Sequence, residues 1–522
     1  MSTSPSDPAR EVVGKSLSGF GFAGGARRGT VIRLGMGGPW VARNRAELLT
    51  PSQRHLVTRF GYGVDAALAK DVRRAGSAQQ WFELQLTRPG SFPDGDAEQV
   101  RRWWPDLDRG PSELWQRQAK EIRGGWQVME DYGRWLLVRR IRTRRPVLEK
   151  MTEFWEGMLH VPVSGDAHFT WRVDYGDTIR KHALGRFDEL LVETTTHPAM
   201  LIFLSAATST KRAPNENLGR ELLELHTLGA GNYDEDDVKA SSRILTGWHV
   251  DLWESWAASY VKEDHYRGRV QVRGFSDKNA KGDGRQVTKD YLRYLAHHPD
   301  TAHKIAERLA TKFVRDDPPQ ALVKRLAKVY LKNDTEIVPV LRALVASKEF
   351  RSSAGAKLRD PSEDVVATYR ALGVGIERPS SADSGVNAML WQASGLGLSP
   401  HAWPRPDGTP VHDDIWASPA RALGSMSMHW SMAGMWWPTV DLDYRRPSAW
   451  VPAKKPIRFK DLVDEVSRDL LHRPAGKNLL ATACLATGCK AREKIDRDHG
   501  LYQWGFPRLL AAVLDSPDHL AC

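Results

Sequence analysis

Between residues 49 and 375 the apolar positions recur at the three- and four-residue spacing of amphipathic helices, and strict alternation is rare. The pattern turns helical at Pro51, where Ser52 is placed to cap Gln53 to Phe60 and Gly61 to close the turn. A second helix is expected from Asp65. Further helices are predicted over Thr152 to Leu159, Thr178 to Leu191, Asp234 to Thr246, Thr288 to His297, Asp300 to Val314 and Pro319 to Leu331. Asp234 can accept from the amide of Asp237, and the acidic run Asp234-Glu235-Asp236-Asp237 suits the positive end of a helix dipole. A calcium loop would need alternating ligands, a central Gly and a distal Glu, which this run lacks. Arg269 to Arg273 alternates between Gly residues and predicts one small hairpin. After Gly375 the composition shifts to Trp, Met, Pro and Gly, which suggests irregular chain over a helical core. The expected fold is mainly α, a multi-helical core with at most a small β-hairpin and a less regular C-terminal portion. Its expected divisions are a mobile arm over 1–48 with Phe20 and Phe22 as docking points, a helical core over 49–375, and a portion over 376–522 packed on that core.

Composition adjusts this picture only in places. With 522 residues, 41% of them hydrophobic and 27% charged, the chain can bury a large core. The formal charge of +11 is spread along the chain, so it gives no strong nucleic-acid signal. The densest basic cluster, Arg139 to Arg145, reads as a solvated helix end. The 20 Trp could stack on sugars, but Trp155 and Trp248 sit in apolar helical patterns, where core filling is expected. Three cysteines allow one local disulfide, Cys484 with Cys489, and no framework of bridges or zinc ribbon. No run approaches the ~18 apolar residues of a membrane span. Arg27-Arg28 is followed by a segment too short and Gly-rich for an export signal, so the expected compartment is the cytoplasm.

The densest chemistry lies in Asn215 to Gly229. On a helix, Asn217, Arg220, Glu221 and Glu224 share one face while Leu218, Leu222 and Leu225 line another. Convergent carboxylates can bind a metal or share a proton, whereas Arg220 one turn from Glu216 and Glu224 also describes a solvated, salt-bridged face. As an enzyme, the chain would use Glu221 and Glu224 as metal ligands or as general acid and base, with Asn217 orienting them and Arg220 holding an anionic group. Hard oxygen ligands would select magnesium, manganese or iron. His226, His265 and His182 are candidate further ligands, though each also reads as an ordinary core or surface histidine. Asn215 and Trp403 are candidate substrate contacts. The absence of GxSxG, GxxxxGK[ST] and HExxH motifs, and of a GxGxxG that follows a strand, argues against serine-hydrolase, P-loop and Rossmann chemistry, leaving metal-assisted hydrolysis or oxidation. The competing reading is a structural or interaction protein in which the same stripe forms a buried network. A third is recognition of a peptide or glycan by a cleft lined by Trp403, Trp430, Trp436 or Trp437.

Several segments, in this order, are similar to a known family. They include Arg54 to Gly63, Met151-Thr152-Glu153-Phe154-Trp155, His197 to Leu201, Asn215-Glu216-Asn217 through His226-Thr227-Leu228-Gly229, and Leu245-Thr246-Gly247-Trp248. Lys312-Phe313-Val314 and Trp403-Pro404-Arg405-Pro406-Asp407-Gly408 continue the series. Over roughly residues 50 to 435 the chain resembles the bacterial family called domain of unknown function 1800. The resemblance implies a largely helical fold, and many such proteins carry export signals. The chain departs from the family pattern in three places. A His-x-His usual after Phe-Trp is here Glu156-Gly157-Met158, with His160 and His168 as nearby substitutes. An Asp-Asn is replaced by Ser205-Ala206, and a His-Asp-x-Gly becomes His265-Tyr266-Arg267-Gly268. These departures imply a branch that has lost catalysis or altered it.

Overall fold

The computed structural model describes residues 48–450, 456–496 and 498–522, so the arm expected over 1–48 lies almost wholly outside the described residues. The chain is mainly α, with 24 α-helices and four two-stranded antiparallel pairs among the described residues. The expected hairpin is one of the pairs, Val270–Val272 with Phe275–Asp277. Helix persists past Gly375 in Gly385–Gly395, Pro419–Ala433, Phe459–Leu471, Lys477–Thr487 and Phe506–Leu514, with long irregular connections between them.

Local capping chemistry sets many helix starts. Asp234 accepts from the amides of Asp236 and Asp237, and the Asp237 carboxylate answers the Asp234 amide, closing a capping box before Glu235–Ile244. The first helix, Pro51–Arg59, is capped by Thr50 rather than Ser52, because Pro51 takes the first helical position and Gln53 returns a bond to the Thr50 amide. The helix expected over 178–191 is two helices, Phe169–His182 and Phe187–Thr195. Between them Arg186 runs extended and pairs with Glu336, and the Phe187 amide bonds to Thr335 O at 3.1 Å.

Two apolar cores form. One gathers Phe60, Trp81, Trp155, Phe187 and Phe313 around the helices Pro146–Met158 and Pro299–Phe313. The other gathers Tyr132, Trp135, Tyr369 and Met389 with Phe459, Val463, Leu509 and Val513 around the helices Gly125–Arg142 and Pro361–Leu372. Ion pairs join elements of the two: Lys312 to Glu363 at 2.8 Å, Lys150 to Glu363, and Arg140 to Glu153 at 3.6 Å. The arginine cluster belongs to this layer and is not a solvated helix end. Arg139 and Arg140 are buried, Arg139 pairing with Glu149 at 3.0 Å and Asp94 at 3.3 Å, while Arg144 meets Asp71 and Arg145 meets Glu98. Four of the five arginines are thus paired with carboxylates from other segments, and Arg142 donates to Ile376 O. Cys484, Cys489 and Cys522 are free thiols. No helix among the described residues is long and apolar enough to cross a membrane.

Candidate functional site

Asn215 opens the site by capping the short helix Glu216–Glu221: its Oδ1 accepts from the Leu218 amide at 3.0 Å and its Nδ2 donates to Ser205 O at 2.9 Å. The chain then widens into one π-helical turn, Leu222–His226, closed by the Thr227 hydroxyl on Leu222 O at 2.6 Å. The wider spacing puts Leu223 on the buried face with Leu218 and Leu222, and leaves Leu225 only half-buried. Gly219 lets this helix lie against Glu235–Ile244, since a Cβ there would stand 2.3 Å from Ser242 Oγ.

The polar stripe divides by role. Asn217 is exposed and donates to Leu204 O at 3.3 Å, and Arg220 forms a bidentate pair with Glu235 at 2.7 and 2.8 Å. Glu221 and Glu224 are half-buried, and neither forms an ion pair among the described residues. Tyr233 donates its hydroxyl to Glu224, and Lys304 donates to the Glu224 carbonyl. Burial, then the neighbouring Glu224, with Asp407 adding, raises the Glu221 carboxyl above its ordinary pKa against the pull of Arg220.

Opposite stands the helix Pro299–Phe313, whose Lys304 and Arg308 are four residues apart on one face. Burial and Arg308 lower Lys304 to about 8, with Glu224 opposing. Arg308 is lowered to about 10 by burial, and holds Gly157 O at 2.6 Å and Thr409 O at 3.1 Å. The third wall is the Trp403–Gly408 loop. Here the Trp403 indole donates to Asp407 at 2.8 Å, and Arg405 pairs with the same carboxylate at 2.8 Å. Gly408 has φ +73°, and a Cβ there would stand 2.0 Å from Gly157 O. Gly408→Ala is therefore expected to cost about 2–3 kcal/mol and to push the Asp407 loop off the Pro146–Met158 helix. A denaturant midpoint equal to the parent's would contradict so close an approach.

His226 lies beneath the stripe. It is buried, its Nδ1 has no hydrogen-bond partner, and burial together with Lys304 and His160 lowers it to about 3. His265 is not part of the constellation: Nε2 meets Asn279 Oδ1 at 2.8 Å and Nδ1 meets Thr246 O at 3.1 Å, so neither ring nitrogen is free for a metal. His182 lies 4.0 Å from Glu189, on another element. Asn215 acts as a cap. Lys304, Arg308, Asp407 and Tyr233 were given no site role in the sequence, although Asp407 and Tyr233 lie in segments similar to the family; the local signals were the i, i+4 cations and the Asp-Gly that ends the Trp403 loop.

Three groups of metal-ligating side chains converge within 4.8 Å among the described residues, and none contains Glu221 or Glu224. In one of them, Glu153, Asp360 and Glu363 face Lys150, Lys312 and Arg140, so protein cations already fill the space a metal would take. In another, His429 sits between Asp364 at 3.2 Å and Asp515 at 2.7 Å, with the Arg421 guanidinium 3.2 Å from Asp364.

Searches of curated proteins and of solved structures return no match to this chain. The model of the family described as "Protein of unknown function (DUF1800)" matches residues 55–521, nearly the whole chain, and the protein belongs to that family.

Proposed function

We propose that the protein is a divalent-cation-dependent enzyme, hydrolytic or oxidative, that works at Glu221 and Glu224. One observation carries this reading: two adjacent half-buried carboxylates are left without a cationic partner, in a chain of formal charge +11 whose other interior carboxylates are paired. Magnesium and manganese are commonly held by one or two carboxylates with water and substrate completing the shell, which suits this pair better than a closed histidine site. A bound cation would supply Lewis acidity toward a substrate oxygen. Tyr233 would fix the orientation of Glu224. Lys304, lowered to about 8, is suited to holding or releasing a proton near neutrality. The three free thiols support the cytoplasmic reading, since a reducing compartment preserves them. Exposed Trp430, Trp436 and Trp437 support an added protein or peptide partner.

The test is calorimetric titration of metal-stripped protein with Mn2+ and Mg2+, alongside Glu221→Gln/Glu224→Gln with its fold checked by circular dichroism. Saturable binding that disappears in a folded variant is the expected result. A parent that binds neither ion sinks the proposal. A second reading, a non-catalytic scaffold, is favoured by the structural bonds of Asn215, Asn217 and Arg220. It expects instead that the double variant loses stability.

A further inference from the structure

A cavity of about 340 Å³ opens among the Pro51–Arg59 helix, the Pro361–Leu372 helix and residues 517–522. Four arginines line it, Arg54, Arg359, Arg370 and Arg473, and Asp518 is the one acidic side chain in the lining. Asp518 is taken by Arg473, and Arg370 is neutralised by Asp65 at 2.5 Å. Arg54 and Arg359 are left with no carboxylate partner among the described residues. Arg54 reaches only His472 O, at 3.4 Å, and burial and Arg473 push its pKa down against the pull of Asp518. Arg359, only 4% exposed, donates Nε to His519 O at 2.8 Å, while its Nη1 is buried without any partner.

Elsewhere in the interior Arg139, Arg172, Lys150 and Lys312 meet carboxylates, while Arg59 and Arg308 are held by backbone carbonyls. A buried charged donor left unsatisfied destabilises the empty site, and a ligand would relieve that. His55 Nε2 donates to Phe350 O at 2.8 Å, and its Nδ1 is shut away from the cavity surface. The cavity therefore offers guanidinium donors for an oxyanion. Two uncompensated guanidinium charges match a phosphate monoester dianion, and the volume leaves room for an organic part beside the phosphoryl group. Pro51, Ala354 and Gly355, which line the cavity, are exposed and give it access to solvent.

We propose that this cavity binds a small phosphorylated metabolite, with Arg54 and Arg359 on its phosphoryl oxygens. The site shares no residue with the Glu221 and Glu224 stripe, so either proposal can fail without the other.

The experiment titrates the full chain with glycerol phosphate, inorganic phosphate and succinate by calorimetry at physiological ionic strength. Saturable one-to-one binding of glycerol phosphate, tighter than inorganic phosphate, is expected. Arg54→Ala should weaken it about tenfold or more, as should Arg359→Lys, while Arg267→Ala on the exposed surface leaves it unchanged. Arg54 makes one long hydrogen bond, so its variant decides the matter even if the Arg359 variant misfolds. Failure of both phosphates to bind, equal binding by Arg54→Ala, or preference for succinate would each overturn the proposal.

Discussion

Acidification from pH 6.5 to 4 is expected to unfold this protein cooperatively. His160 and His168 are held to about 4 and His226 to about 3, against 6.5 for an unhindered imidazole, in each case mainly because burial penalises the charged ring. Their folded pKa values lie below the unfolded value, so between pH 6.5 and 4 the unfolded chain binds more protons. The stability these neutral rings contribute is complete above pH 6.5 and is lost as the pH falls. Each shift is worth roughly 3 kcal/mol, and three of them approach the ~5–15 kcal/mol that keeps a typical protein folded. His401 and His519 are lowered in the same direction. His429 works the other way: Asp364 and Asp515 outweigh its burial and raise it to about 9. Its contribution is full below pH 6.5 and lost as the pH climbs through 9, so it gives no relief on the acid side. Maximum stability should fall near pH 6.5 to 7. Urea midpoints measured across pH 4 to 9 check this, and a flat profile on the acid side would rule it out. His226→Gln should remove its share of the acid slope.

Arg172→Met is expected to destabilise the fold by about 3–5 kcal/mol, because it leaves the Glu156 carboxylate buried without its cation. Arg172 is fully enclosed and bonds Glu156 and Val161 O, the latter at 2.7 Å, while Tyr132 donates to the same carboxylate at 3.2 Å. Glu156→Gln should cost a similar amount by stranding Arg172. The double variant Glu156→Gln/Arg172→Met should be more stable than the sum of the two losses implies, since the charges leave together. Additive losses in a chemical-denaturation cycle would refute the coupling. The position has wider interest: Glu156 stands where the family resemblance leads one to expect the first of two histidines. In this chain it holds the interior together, and the nearby His160 is spent on Trp403 O at 2.7 Å.

Features with local causes were legible in the sequence. Asp65 and Asp234 both cap helices as their side chains and following residues suggest, and Trp155 is buried as its apolar surroundings imply. What escaped was decided at long range. The break at Gly185 and Arg186 depends on Thr335 and Glu336, and the arginine cluster is buried because Asp71, Asp94, Glu98 and Glu149 arrive from other segments. The candidate site follows the same division. Glu221 and Glu224 could be picked out by helical spacing, whereas Lys304 and Asp407 reach them only through the packing of the Pro299–Phe313 helix and the Trp403 loop. The π turn was also hidden, since its wider spacing shows only in which leucine is buried.

The buried guanidinium of Arg59 donates to the carbonyls of Phe313, Val314, Ser353 and Cys522, the last 463 residues away along the chain. During synthesis at ~5–20 residues per second, roughly 20 to 90 seconds separate the making of Arg59 from that of its last acceptor. For that interval Arg59 lacks at least one of the four carbonyls that hold it. The Pro51–Arg59 helix is expected to complete its docking late, which hydrogen-exchange labelling of the Leu56 and Val57 amides during refolding would show as late protection. Until then the cover over Phe60 and its apolar neighbours is incomplete, so the newly made chain spends its most vulnerable period with part of this core open.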